Sequence, residues 1–287
     1  MLMKMFKAMS LSVVCAVCLA SVSAYAVTIE PTLEYASIYL WRGITANERP
    51  ALQLSLYAYD ILDEEAEMGA LTLGVWADWA LGASHKTYMY NGYYYTDRRQ
   101  FGEVDLEVEY ELPTIIDDLT IALGYSAYLY TDSEDKTDHE LHFVTSYDTF
   151  LQPTVGLHYT VAGGEYTKKQ WFLECGVSHE FDIGDELEIR DGLTFTVGAD
   201  IGIWWWNSKM KEDWEDEDED GDLISGSGLR SGFAYAKYYA EGTWGIAALD
   251  DLSLSAKVEY YQRMRKDTLG SLFRNKWVAI VGLSKEF

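Results

Sequence analysis

The sequence predicts an all-β fold: a single antiparallel up-and-down transmembrane β-barrel of about twelve strands. Three observations predict it. Apolar and polar residues alternate at a period of two along most of the chain. The alternating runs number about twelve, an even count that returns both chain ends to one side. The connections between them alternate between short and long, as in barrels with tight periplasmic turns and longer outer loops.

Residues 1–26 read as a secretory signal peptide. Lys4 and Lys7 supply the positive start, 11–21 the short apolar stretch, and Ala24-Tyr25-Ala26 the cleavage site. The barrel domain is then 27–287. Cys15 and Cys18 leave with the signal, and neither follows a lipobox-like pattern. Cys175 alone remains, which excludes an intramolecular disulfide or a cysteine-based zinc site. No apolar run approaches the ~18 residues that a membrane-crossing helix needs.

The strands are expected at 29–43, 51–61, 70–82, 101–112, 119–131, 138–150, 153–163, 170–182, 192–205, 231–245, 252–263 and 275–287. The run 101–112 is the clearest. Val104, Leu106, Val108, Tyr110 and Leu112 share one face, and Glu103, Asp105, Glu107, Glu109 and Glu111 the other. Five carboxylates cannot face a dry core. The segments 71–81, 119–129 and 193–203 repeat the pattern with Gly, Ser, Thr and Asp on the second face. Small polar groups fill a core badly and line a wet lumen well.

The short connections are 62–69, 113–118, 151–152, 183–191 and 246–251; the long ones are 83–100, 206–230 and 264–274. Trp41, Trp79, Trp171, Trp204, Trp205, Trp206, Trp244 and Trp277 fall near strand ends, where rings form interfacial girdles. The last strand closes on Phe287 with Trp277, Ala279, Val281 and Leu283 on one face, resembling an outer-membrane assembly signal. Lys285 and Ile280 depart from that pattern. A secreted antiparallel sandwich shares the alternation, but not the coincidence of signal, even count, loop asymmetry and terminal Phe.

The chain carries 47 acidic and 22 basic residues, for a net charge of -25. That excludes nucleic acid as a partner, since phosphate binding needs clustered Lys and Arg. With apolar faces outward, Asp78, Glu103, Asp105, Glu107, Glu109, Glu111, Glu140, Asp148, Glu174, Glu180, Asp200, Glu241 and Glu259 turn inward. Lys237 and Lys257 are the basic partners. Acidic linings select cations. The alternative is a closed lumen filled by carboxylates, Trp76, Tyr128 and Trp204.

Ser37, Tyr39, Trp41, Arg42, Gly43 and Thr45, followed by Pro50, Ala51 and Gln53, form an S-x-Y-x-W-R-G-x-T…P-A-x-Q start. It resembles the opening of the TorF-type porins, a little-characterised family of exported proteins. The segments 74–77 and 103–107 echo the same family, and the resemblance covers about 35–110. It implies an outer-membrane barrel, with Tyr39, Trp41, Arg42, Gly43, Pro50 and Gln53 as its motif positions. Arg42 and Gly43 are expected where the first strand enters its outer loop. There Arg42 either pairs with a lumenal carboxylate or stays at the rim, anchoring the loop or setting selectivity.

Asp216, Asp218, Asp220 and Asp222 match the first part of an EF-hand calcium loop, but Ser227 stands where the bidentate Glu belongs. Weak calcium binding and a plain solvated loop are the two readings; no other cofactor is implied. His142 and His158 fall inward on neighbouring strands beside Glu140. This is a set that can hold a metal, though histidine is more often lumen lining. No His-linked dyad marks an enzyme. Cys175 falls on the lipid face. The expected function is a narrow, cation-preferring diffusion channel for small polar solutes in the cell outer membrane. The alternative is a closed barrel with a structural or binding role carried by its acidic and Tyr-rich (88–95) loops. The partners expected of the channel are outer-membrane lipid, the barrel assembly machinery and small polar or cationic solutes.

Overall fold

The computed structural model describes residues 27–62, 69–81, 87–90, 93–96, 102–113, 116–130, 137–164, 167–183, 192–211, 214–217, 223–226, 229–246, 252–265, 268 and 275–287. The expected signal peptide, 1–26, lies outside them. The strands in chain order begin with β1 (Thr28–Ala36), β2 (Tyr39–Trp41), β3 (Ile44–Asn47), β4 (Ala51–Tyr59), β5 (Ala70–Ala80) and β6 (Thr87–Tyr90). Then come β7 (Tyr93–Thr96), β8 (Gly102–Glu111), β9 (Leu119–Tyr130), β10 (Asp138–Tyr147), β11 (Thr154–Ala162) and β12 (Trp171–Asp182). Next are β13 (Leu193–Trp205), a helical turn α1 (Ser208–Lys211), β14 (Trp214–Glu217) and β15 (Leu223–Gly226). The chain ends with β16 (Gly232–Ile246), β17 (Leu252–Arg263) and β18 (Lys276–Lys285).

Twelve of these close a barrel in the order β1-β18-β17-β16-β13-β12-β11-β10-β9-β8-β5-β4. Each pairs antiparallel with its neighbours, and β1 pairs with both β18 and β4. The first and last barrel strands are tied together: Ile29 and Phe287 exchange backbone hydrogen bonds of 3.1 and 3.0 Å. Closure leaves no open edge.

The two strand faces sort by chemistry as the alternation requires. Leu33, Leu54, Val108, Leu141, Val177, Val258 and Val281 stand exposed outside. Asp78, Glu103, Asp105, Glu140 and Glu259 are buried within. An apolar exterior around a polar interior reverses the pattern of a water-soluble protein; it fits hydrocarbon, where closed barrels satisfy every backbone group. The fold is a transmembrane β-barrel of the outer-membrane type. No helix among the described residues is long and apolar enough to cross a membrane.

The first expected strand, 29–43, is corrected by the structure. It ends at Ala36, and the chain bends at 37–38 and forms a separate hairpin, β2–β3. Arg42 (φ 48°) and Gly43 (φ 79°) lie between paired Trp41 and Ile44. Positive φ at both loop residues is the two-residue type I′ turn that suits strand twist. The hairpin folds into the barrel. Ile44 packs there with Phe172, Trp204, Trp206, Tyr235, Tyr261 and Val278, and Ile38, Leu40, Trp41 and Ile280 cover this cluster. That explains the apolar Ile280 on the lumen face of β18: it meets the hairpin rather than water.

Three further expectations change. Trp79, Trp171, Trp205, Trp244 and Trp277 are exposed outside, but Trp204 and Trp206 are buried in the interior cluster, and Trp41 packs against it. They are not girdle residues. Asp148 is exposed in the turn after β10, not inside. The connections 83–100 and 206–230 are not plain loops, since they carry the β6–β7 and β14–β15 hairpins.

Candidate functional site

The turn of the inward hairpin delivers Arg42 to the lumen wall. Its Nη1 donates to Glu140 Oε2 at 2.5 Å and its Nη2 to Glu140 Oε1 at 2.6 Å. This is the two-pronged geometry that makes guanidinium–carboxylate pairs strong. Nη2 also lies 2.7 Å from His158 Nδ1. A guanidinium only donates, so Nδ1 accepts, and a neutral ring carries its proton on Nε2. The rings of Trp41 and Phe172 each sit 4.8 Å from Arg42 Cζ. Trp204 Nε1–H donates to the Arg42 carbonyl at 3.3 Å, and the Tyr128 hydroxyl to Glu140 Oε1 at 3.0 Å. Burial lowers the pKa of Arg42, but the adjacent Glu140 carboxylate more than reverses this, and the net shift is upward.

The same hairpin sets Tyr39 over an acidic wall. Its hydroxyl donates to Glu103 Oε2 at 3.1 Å, and its ring lies 5.4 Å from that of Trp76. Register places Asp78 opposite Glu103 and Trp76 opposite Asp105. Asp78, Glu103 and Asp105 are no more than 5% exposed. Gln53 Nε2–H donates to Asp78 Oδ2 at 3.2 Å, but Asp78 Oδ1 and Asp105 Oδ1 are buried and accept no hydrogen bond. Further along β8, Glu107 accepts from the Tyr57 hydroxyl at 2.8 Å, and Glu109 lies 3.2 Å from His142 Nε2. Glu111, the last residue of β8, is exposed at the mouth where β1 begins and β18 ends.

The opposite wall is partly compensated, with two lysines against four carboxylates. Lys237 bridges Asp200 (2.6 Å) and Glu174 (3.3 Å). Lys257 bridges Glu259 (3.1 Å) and Glu241 (3.9 Å). The lumen is therefore asymmetric: carboxylates along β12–β17 share two lysines, and those along β5–β8 have no Lys or Arg partner among the described residues.

His142 and His158 are paired directly across β10–β11, with ring centroids 5.7 Å apart. Gly124, facing His142 on β9, makes room for it: a Cβ there would fall 1.9 Å from His142 Nε2. One ligand atom from each of Glu140, His142 and His158 lies within 4.8 Å of the others. Of the expected calcium residues, Asp216 lies in β14, and Asp218, Asp220 and Asp222 lie outside the described residues. Pro50 accepts the Leu81 amide at 2.7 Å through its carbonyl, fixing the hairpin's return to β4. Cys175 is a half-buried free thiol on β12, paired with Val155 and Ile201.

Alternation along the strands points to the inward positions of Tyr128 and Phe172. It does not reveal the inward fold of Tyr39 and Arg42. The two-residue Arg42-Gly43 turn is the one local signal for that.

The fold and its lumen define an outer-membrane β-barrel with an inward-folded first hairpin and an acidic wall beneath it. No protein-family model and no curated protein matches the chain. Among solved structures it is similar to LpxR from Salmonella typhimurium, at 10% identity over 89% of this chain and 99% of that one, with a TM-score of 0.47. It is also similar to KdgM porin, at 11% identity over 91% and 99% with a TM-score of 0.45. A third is the COG4313 outer membrane channel from Pseudomonas putida F1, at 5% identity over 91% and 95% with a TM-score of 0.47.

Proposed function

We propose that this barrel is a narrow, cation-preferring diffusion channel for small polar solutes, built on the plan of the TorF-type porins whose opening motif it resembles. The observation that carries this is the buried trio Asp78, Glu103 and Asp105, which has no cationic partner among the described residues. Carboxylate oxygens with no cationic partner at the narrowing offer an entering cation ligands and a compensating charge that they do not offer an anion. The hairpin provides the narrowing, and a cleft of about 100 Å³ beside it is lined by Tyr39, Gln53, Trp76 and Glu259. In this reading the signal peptide directs export, the assembly machinery inserts the barrel, and calcium on the 216–222 loop is incidental to conduction.

The test is planar-bilayer conductance of refolded protein, with folding confirmed by heat-modifiable gel mobility. Discrete steps whose reversal potential in a salt gradient shows cation preference support the reading; anion preference overturns the charge mechanism. The second reading, a closed barrel with a structural or binding role, is favoured by the apolar packing of Ile44 against Phe172, Trp204 and Tyr235. A folded protein that gives no steps supports it.

A further inference from the structure

We propose that Glu140, His142 and His158 form a binding site for one divalent transition-metal ion, of the zinc or nickel type, and that Arg42 is the resident competitor for it. The inference does not depend on whether the barrel conducts. The ligand chemistry comes first: two imidazoles and a carboxylate suit zinc, nickel or copper rather than magnesium or calcium. The placement follows from register. His142 and His158 are a directly opposed cross-strand pair, and Glu140 shares their face two residues before His142. Their ligand atoms already lie within 4.8 Å of one another. A tetrahedral zinc site with bonds of about 2.0–2.1 Å needs separations of about 3.4 Å, a closure within reach of side-chain rotation.

The surroundings are those of a supported site. The Tyr128 hydroxyl orients Glu140, and Glu109 stands 3.2 Å from His142 Nε2. Metal-bound imidazoles commonly meet such an outer carboxylate through their second nitrogen. The Gly124 position is kept clear for the His142 ring.

Arg42 touches two of the three ligands, Glu140 through both oxygens and His158 through Nδ1. A dication and a guanidinium repel each other and compete for the same lone pairs. Metal binding therefore requires the hairpin turn to withdraw, and the fraction of barrels with the turn withdrawn scales the apparent affinity. The tip of the hairpin is thus a stand-in cation at the site.

The test is calorimetric titration of zinc chloride into the refolded full chain and its variants, each checked by heat-modifiable mobility. One zinc ion per barrel is expected, bound at least tenfold more tightly by Arg42→Ala. The double variant His142→Gln with His158→Gln is expected to lose the ion. An Arg42→Ala barrel that binds no zinc, or no more tightly than the unsubstituted chain, overturns the proposal, as does undiminished binding by the double variant. Should the double variant not fold, His142→Gln alone replaces it, since His142 bonds Glu109 rather than Arg42. At least tenfold weaker binding supports the site, and unchanged binding overturns it. Because binding is read without conductance, failure here leaves the channel reading to its own bilayer test.

Discussion

Arg42 shows how one residue ties local backbone to the lumen. It sits at φ 48° beside Gly43 at φ 79°, and that turn aims its guanidinium at Glu140. Removing one partner of a buried pair strands the other, at a cost of about 3–5 kcal/mol. Arg42→Ala should lower stability in denaturant by up to that amount, less whatever the hairpin recovers by undocking. Arg42→Lys should rescue little, because an ammonium cannot make the two-pronged contact. A double-mutant cycle with Glu140→Gln checks this, and additive losses would mean the two residues are uncoupled. Gly43→Ala should cost about 1–2 kcal/mol through its left-handed backbone alone. The pair is also insensitive to alkali. A raised arginine pKa means its stabilisation is complete below the ordinary arginine range and is lost only as pH climbs past it.

The β2–β3 hairpin is the element that sequence periodicity hid. The run 28–36 alternates cleanly, and Ile38, Leu40 and Trp41 continue it in hydrophobicity without a Gly or Pro at the bend. Alternation reports which residues share a face of a strand, not where the strand stops. Length was the usable clue: ~9–11 residues span a membrane, and the nine of β1 already do so. The strand faces themselves were legible because lipid and water demand opposite residues. The partners of Arg42 were not, because they come from β10, β11, β12 and β13, 98 to 162 residues further on. Replacing 38–49 by a short Gly/Ser connection should leave a heat-modifiable barrel with several-fold higher single-channel conductance. Unchanged conductance in a folded deletion would mean the constriction lies elsewhere.

At the scale of the whole molecule, the acidic excess divides into charges that salt reaches and charges it does not. The screening length falls from about 10 Å at 0.1 M salt to about 3 Å at 1 M, and exposed charges lose their reach across that range while buried ones keep most of theirs. Glu111 is exposed at the barrel mouth, whereas Glu103 and Asp105 are each 5% exposed beneath the hairpin. Two kinds of variant should therefore separate. Glu111→Gln should lower cation conductance at 0.1 M potassium chloride and have no effect at 1 M. The pair Glu103→Gln with Asp105→Asn should reduce cation preference at both concentrations, because these carboxylates act at the narrowing. Reversal potentials measured across equal concentration ratios at low and high salt decide between them. If the double variant keeps full preference at 1 M, the buried wall is not the filter. Selectivity would then come from charges at the narrowing on the opposite wall, where Lys257 leaves Glu259 and Glu241 only partly compensated.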